Sequence, residues 1–309
     1  MAEKNAPAAE RIHMGDSNRI TREYFDSLLV EMRHIGSVIP STKLELYGET
    51  FDTPVMTAAL SHLDGTRKNG MVEMARGAKN AKAVHWVGMG SGEELETITA
   101  TGARAIKIIK PYADNDVIFR KIEHAQECGV LAVGMDLDHI FDSNGKYDVV
   151  TGYPQSAKTI EELKSFIAST NLPFVIKGVL SERDAKLCLE LGVKGIVVSH
   201  HHGIMDYAVP PLMALPGIAK VIAGRIPIFV DCGIESGMDV FKALALGADA
   251  VSVGRHLMTP LKEKGAEGVT AEIISMTEKL SGVMARTASN DLKHIDPSVI
   301  WHKESGRRV

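Results

Sequence analysis

The chain has 309 residues, 45% of them hydrophobic and 24% charged, enough for one large barrel or two smaller domains. Its 35 basic and 39 acidic side chains leave a net charge of −4, so no basic field favours nucleic acid or anionic lipid, and aromatics at 5% offer no base-stacking platform. Cys128, Cys188 and Cys232 are scattered and odd in number, which argues against a disulfide framework or a zinc knuckle and fits a reducing cytoplasm.

Residues 1–18 are polar, mixed in charge and without the apolar core of a signal peptide, and a flexible start is expected there. No stretch reaches the roughly 18 apolar residues that cross a bilayer, so the expectation is a soluble cytoplasmic protein. Residues 21–35 place Phe25, Leu28, Leu29, Met32 and Ile35 at helical spacing. From residue 54 onward, short apolar runs alternate with amphipathic segments. Strands are predicted at 54–59, 81–87, 104–109, 130–136, 173–178, 195–200, 227–233 and 249–254. Helices are predicted to begin near Thr66, Gly92, Asn115, Thr159, Glu182, Val209, Ser236 and Pro260, with Ser181 a capping residue and Gly192 a helix end.

Eight strand–helix units in about 210 residues predict an α/β fold, a (β/α)8 TIM barrel forming a single domain over 19–309 with an N-terminal helical extension. A doubly wound sheet usually has five or six strands, and no GxGxxG follows the first strand here. In such barrels the chemistry sits at the carboxyl ends of the strands.

Lys177 ends the apolar run FVIKG and so reaches the barrel mouth, where a lysine holds positive charge beside a cofactor, forms a Schiff base, or simply snorkels out to water. Asp231, Cys232 and Gly233, then Gly254 and Arg255, occupy the last two strand-to-helix turns, where barrels commonly bind phosphate. Ser199, His200, His201, His202 and Gly203 follow the sixth strand. Neighbours on an extended segment alternate sides, so one or two of these histidines face the pocket as acid/base groups. No HExxH or paired-carboxylate motif accompanies them, and no metal is expected. His62 and His85 lie near strand ends and read equally well as structural histidines.

The segments VIKGVLSERDAKLCLELGVKGIVVSHHHG and GRIPIFVDCGIESGMDVFKALALGADAVSVGR resemble the FMN-dependent α-hydroxy acid oxidases and dehydrogenases, with weaker similarity upstream. The resemblance implies FMN as cofactor. It also implies an oxidoreductase acting on a hydroxy or amino carbon by base-assisted hydride transfer to flavin N5, and a homo-oligomer, commonly a tetramer. It places Lys177 at the flavin pyrimidine edge, Ser199 on the flavin, and Asp231, Gly233, Gly254 and Arg255 around the phosphate. Ala59 to Ser61 fall near N5, and Lys107 stands where the family has a glutamine. His201 takes the place of the base and Asp136 that of its orienting carboxylate.

The family's substrate-binding arginines have no match. Ile204 stands at one, none occurs in DLDHIFDSNGKYDVVTG, Ile109 replaces a tyrosine, and Glu235 replaces an arginine of the phosphate turn. His85, His202 or Lys107 are the candidate replacements for the clamp, and an atypical small-molecule substrate is expected. Two other readings compete. One is a non-redox isomerase like the type 2 isopentenyl diphosphate isomerases, whose SGxGGT segment is SHHHG here. The other is an FMN-binding protein without catalysis.

Overall fold

The computed structural model describes residues 13–309. Eight strands form one parallel sheet: β1 (Val55–Thr57), β2 (His85–Val87), β3 (Ala105–Ile109), β4 (Ala132–Asp136), β5 (Phe174–Val179), β6 (Gly195–Val198), β7 (Ile228–Val230) and β8 (Ala250–Val253). Each pairs with its sequence neighbours, β8 pairs with β1, and a parallel bridge between Leu60 and Val87 closes the barrel between β1 and β2. This is the predicted (β/α)8 architecture.

The helices are α1 (Ser17–Ser27), α2 (Gly70–Asn80), α3 (Gly92–Ala100), α4 (Asn115–Glu127), α5 (Ile160–Ala168), α6 (Glu182–Leu191), α7 (Pro211–Ile222), α8 (Gly237–Ala245), α9 (Met258–Lys264) and α10 (Ala266–Arg286). Ser91, Thr159, Ser181 and Ser236 accept hydrogen bonds from backbone N–H groups of the first turns of α3, α5, α6 and α8, and Gly192 ends α6 at φ +78°. Side-chain oxygens at these positions satisfy donors that helix geometry leaves free.

Two expectations need correction. The first helix stops at Ser27, because Leu28–Val30 is extended and pairs antiparallel with Ile300–His302. Tertiary pairing here overrides local helical periodicity. The helix expected from Pro260 is two helices, separated by Gly265 at φ +61°. The flexible start expected over 1–18 lies largely outside the described residues. Of the remainder, Gly15 O accepts from Tyr207 N, and Ser17 Oγ donates to Met205 O.

Alternation along the strands builds two cores. Met56, Trp86, Ile106, Ile108, Val175, Val197 and Phe229 fill the barrel, joined by Leu44, Leu46 and Phe51 from an antiparallel hairpin. That hairpin covers the amino ends of the strands: Tyr47 Oη donates to Lys194 O just before β6, and Glu49 pairs with Arg104 just before β3. The opposite side chains pack against the helices. With one end plugged, the carboxyl-end mouth is the open face.

Candidate active site

A cavity of about 460 Å³ lies over the mouth, within the roughly 300–1,000 Å³ usual for cofactor and ligand sites. Of the residues singled out in the sequence, it is lined by Ala59, Lys177, His201, His202, Asp231, Gly233, Gly254 and Arg255. Ser199 lies just beneath, its hydroxyl 3.2 Å from Lys177 Nζ and accepting the backbone N–H of His201 at 3.0 Å.

Lys177 is the hub. Its Nζ is 2.9 Å from Asp138 Oδ2, 3.6 Å from Asp136 Oδ1 and 3.7 Å from Asp231 Oδ2. Burial opposes its charge, but the three carboxylates outweigh burial and hold it protonated well above the usual lysine range. Backbone geometry makes room for this. At Gly178 (φ +98°) the β5–β6 register shifts, and a Cβ there would stand 2.6 Å from Asp138 Cβ. Only glycine permits that approach.

His201 Nδ1 donates to Asp138 Oδ1 at 2.5 Å and lies 3.4 Å from Asp136 Oδ2. Burial lowers its pKa, but bonds to both carboxylates outweigh this and raise it to about 9. Nε2 makes no hydrogen bond among the described residues, and the ring faces the cavity. Asp136, expected as the ring's partner, thus shares His201 with Asp138, which is the nearer of the two. Burial pushes Asp136 up, yet Lys177 and its hydrogen bonds hold it well below the usual carboxylate range. Burial raises Asp138, and Lys177 only partly reverses that.

The other two histidines differ. His200 is buried and structural: Nδ1 accepts from Gly203 N at 2.9 Å, so Nε2 donates to Thr21 Oγ1 at 2.7 Å. His202 lines the cavity, and burial, with the Arg255 charge second, lowers its pKa to about 4. It is neutral at pH 7.

Three expected site residues are not at the mouth. Lys107 belongs to the face of β3 that packs on helices, since Ile106 and Ile108 point into the barrel. It borders a separate 230 Å³ cleft with Leu95 and Lys121, and its Nζ donates to Gly88 O. Burial, helped by Lys121, lowers its pKa to about 8. Strand alternation makes Lys110 the lysine that reaches the catalytic side, where Nζ pairs with Asp136 Oδ2 at 2.7 Å. His85 is likewise fully buried on the outer face, its Nδ1 hydrogen-bonded with Thr57 Oγ1 at 2.8 Å, and burial lowers its pKa to about 3. It cannot touch a substrate. Ser61 does not line the cavity, whereas Leu60 does.

Sequence reading missed Asp138, Lys110 and His139. The His139 ring meets His201 edge-on at 4.9 Å. Alternation along β3 carried the signal for Lys110, and no sequence motif marks Asp138.

The mouth suits a phosphate-tailed ring cofactor. Gly254 brings bare backbone to the cavity wall, and Gly233, which also lines it, has φ +81°. Arg255 makes no hydrogen bond or ion pair among the described residues and is free to clamp a phosphate. Lys177 sets a fixed cation in the cavity wall. Glu235, exposed at the rim, and Asp231, 3.7 Å from Lys177 Nζ, are the lining carboxylates whose charge works against a phosphate.

A closed (β/α)8 barrel with acid/base groups, a buried lysine and a glycine–arginine turn at its carboxyl-end mouth is the plan of a barrel enzyme with a phosphorylated cofactor. The chain belongs to the FMN-dependent dehydrogenase family, whose model matches residues 9–159 and 142–302. It is similar to glycolate oxidase from Spinacia oleracea, at 28% identity over 304 aligned positions covering 85% of this chain and 82% of that protein. It is also similar to L-lactate oxidase from Lysinibacillus sphaericus, at 27% identity over 317 positions covering 89% and 82%. A solved structure of a mandelate oxidase variant with a monooxide FMN adduct superposes with a TM-score of 0.83 at 28% identity, covering 91% of this chain and 90% of that one. The chain is therefore an FMN-dependent oxidoreductase. No helix among the described residues is long and apolar enough to cross a membrane.

Proposed function

We propose that the mouth oxidises the CH–OH carbon of a small molecule, with His201 as the base. Bound FMN supplies the two-electron acceptor. Lys177 and Ala59, with Ser199 beneath them, would hold its ring, while Gly233, Gly254 and Arg255, with Asp231 nearby, would hold its phosphate end. Asp138 and Asp136 fix the His201 ring through Nδ1, which leaves Nε2 to take the hydroxyl proton once the ring is neutral, above its pKa of about 9. Lys177 keeps a positive charge at the ring end throughout, since three carboxylates hold its proton. The single observation that carries this reading is the His201–Asp138–Lys177 cluster at the mouth. The non-redox and non-catalytic readings leave that oriented base without a task.

The substrate is atypical for the family, because Ile204 stands in the cavity wall where the resemblance calls for an arginine. Assembly into a homo-oligomer and a cytoplasmic location belong to the same reading. His201→Ala tests it. Flavin reduction by the true substrate should fall by about 10²–10⁴-fold with FMN affinity unchanged. Undiminished reduction would remove His201 from the mechanism.

A further inference from the structure

The charges at the His201 corner are already committed to one another. Lys177 is shared among Asp136, Asp138 and Asp231, and Lys110 is held by Asp136. Arg22 also lines the cavity, but its donors go to Asp26, Asp239 and Gly233 O. Three carboxylates (Asp136, Asp138, Asp231) face three cations (Lys110, Lys177 and protonated His201), a net of zero. Once His201 is neutral, as a base must be, the corner carries one net negative charge.

Arg255 stands at the end of β8, in the phosphate turn, and Glu235 adds another acid to the rim. The rest of the wall includes Ala58, Ala59, Leu60, Ile204 and Ile234, all apolar. With His201 neutral, above its pKa of about 9, a carboxylate one bond from the reacting carbon would thus enter a corner with no uncommitted cation beside it and a like charge close by.

We infer that the substrate is an electrically neutral carbinol with an apolar body, its nearest chemical form an α-hydroxy amide or ester rather than a free α-hydroxy acid. The inference rests on the reading of His201 as the base at this mouth. The carbinol becomes a carbonyl: its O–H proton passes to His201, and its C–H hydrogen leaves with two electrons to FMN. A neutral group beside the carbinol needs no counter-ion at any stage.

The test uses FMN-loaded enzyme and matched pairs: pyruvate against pyruvamide, and phenylglyoxylate against phenylglyoxylamide. Binding is followed by the flavin difference spectrum at about pH 10, above the His201 pKa of about 9, and lactate, lactamide, mandelate and mandelamide are compared for anaerobic bleaching. Each amide is expected to bind at least about tenfold more tightly than its acid, the order of one missing charge-assisted pair. Ile204→Arg, which adds a cation to the wall, is expected to shift the order toward the acids. Acids binding as well as amides, or neither class perturbing the flavin, would overturn the inference. The two readings fail separately: binding order concerns the substrate class alone. Bleaching by the preferred compound that survives His201→Ala would sink the base assignment instead.

Discussion

Replacing Asp138 by Asn removes the carboxylate that holds both His201 Nδ1 and Lys177 Nζ, and its effect should depend on pH in a defined sense. The folded pKa of His201 is about 9 against an ordinary value of 6.5. Because the folded value is the higher one, the stabilisation is complete below about pH 6.5 and lost as pH rises through about 9. A shift of that size corresponds to roughly 3 kcal/mol at about 1.36 kcal/mol per unit, an upper figure for a ring that keeps some solvent contact. Asp136 remains at 3.4 Å in the variant, so the shift should retreat only part of the way.

Lys107 runs the other way over the same range. Its pKa is lowered to about 8, so its burial penalty fades as pH rises from about 8 toward 10.5. The informative quantity is therefore the difference between wild type and Asp138→Asn, from which Lys107 cancels. Denaturant unfolding from pH 6 to pH 10 should show this gap widest at pH 6 and narrower by about 1–2 kcal/mol at pH 10. A constant gap, or one that widens with pH, would refute the cluster as described.

Three other changes follow from the geometry. Lys107→Met removes a buried cation that has only the Gly88 carbonyl for a partner, and should raise stability at pH 7 by about 1–3 kcal/mol without altering FMN affinity; a weakened flavin titration would return Lys107 to the cofactor site. Gly178→Ala forces a side chain into φ +98° and against Asp138, with an expected cost of about 1–3 kcal/mol and a displaced Asp138; thermal melts unchanged from wild type would contradict the bulge. Arg255→Met should weaken FMN binding by about tenfold or more while leaving the apoprotein as stable as wild type, read by quenching of flavin fluorescence.

Much of the barrel was legible because its signals are local. Apolar runs marked each strand, and Thr159, Ser181 and Ser236 announced helix starts that the backbone then used. What failed depended on partners distant in sequence. Leu28–Val30 reads as helix alone and becomes strand only beside Ile300–His302. Lys107 and Lys110 illustrate the period-two hazard: both are lysines near the end of β3, and a slip of one position exchanges the helix-facing side for the barrel mouth. His201 could be picked from its neighbours by resemblance, and the left-handed turn at His201 and His202 (φ +48° and +55°) explains how adjacent rings diverge. Asp138 stayed hidden because its place depends on the backbone of Gly178, forty residues onward.

The pairing of Leu28–Val30 with Ile300–His302 ties the far end of the polypeptide to catalysis it never touches. Those three residues anchor α1, and α1 in turn braces the histidine turn, through Thr21 on the His200 ring and Asn18 on the His202 carbonyl. The last ten residues thus act as a tether for the wall behind the base. Trimming the chain before Ile300 would loosen the bracing of that turn through α1.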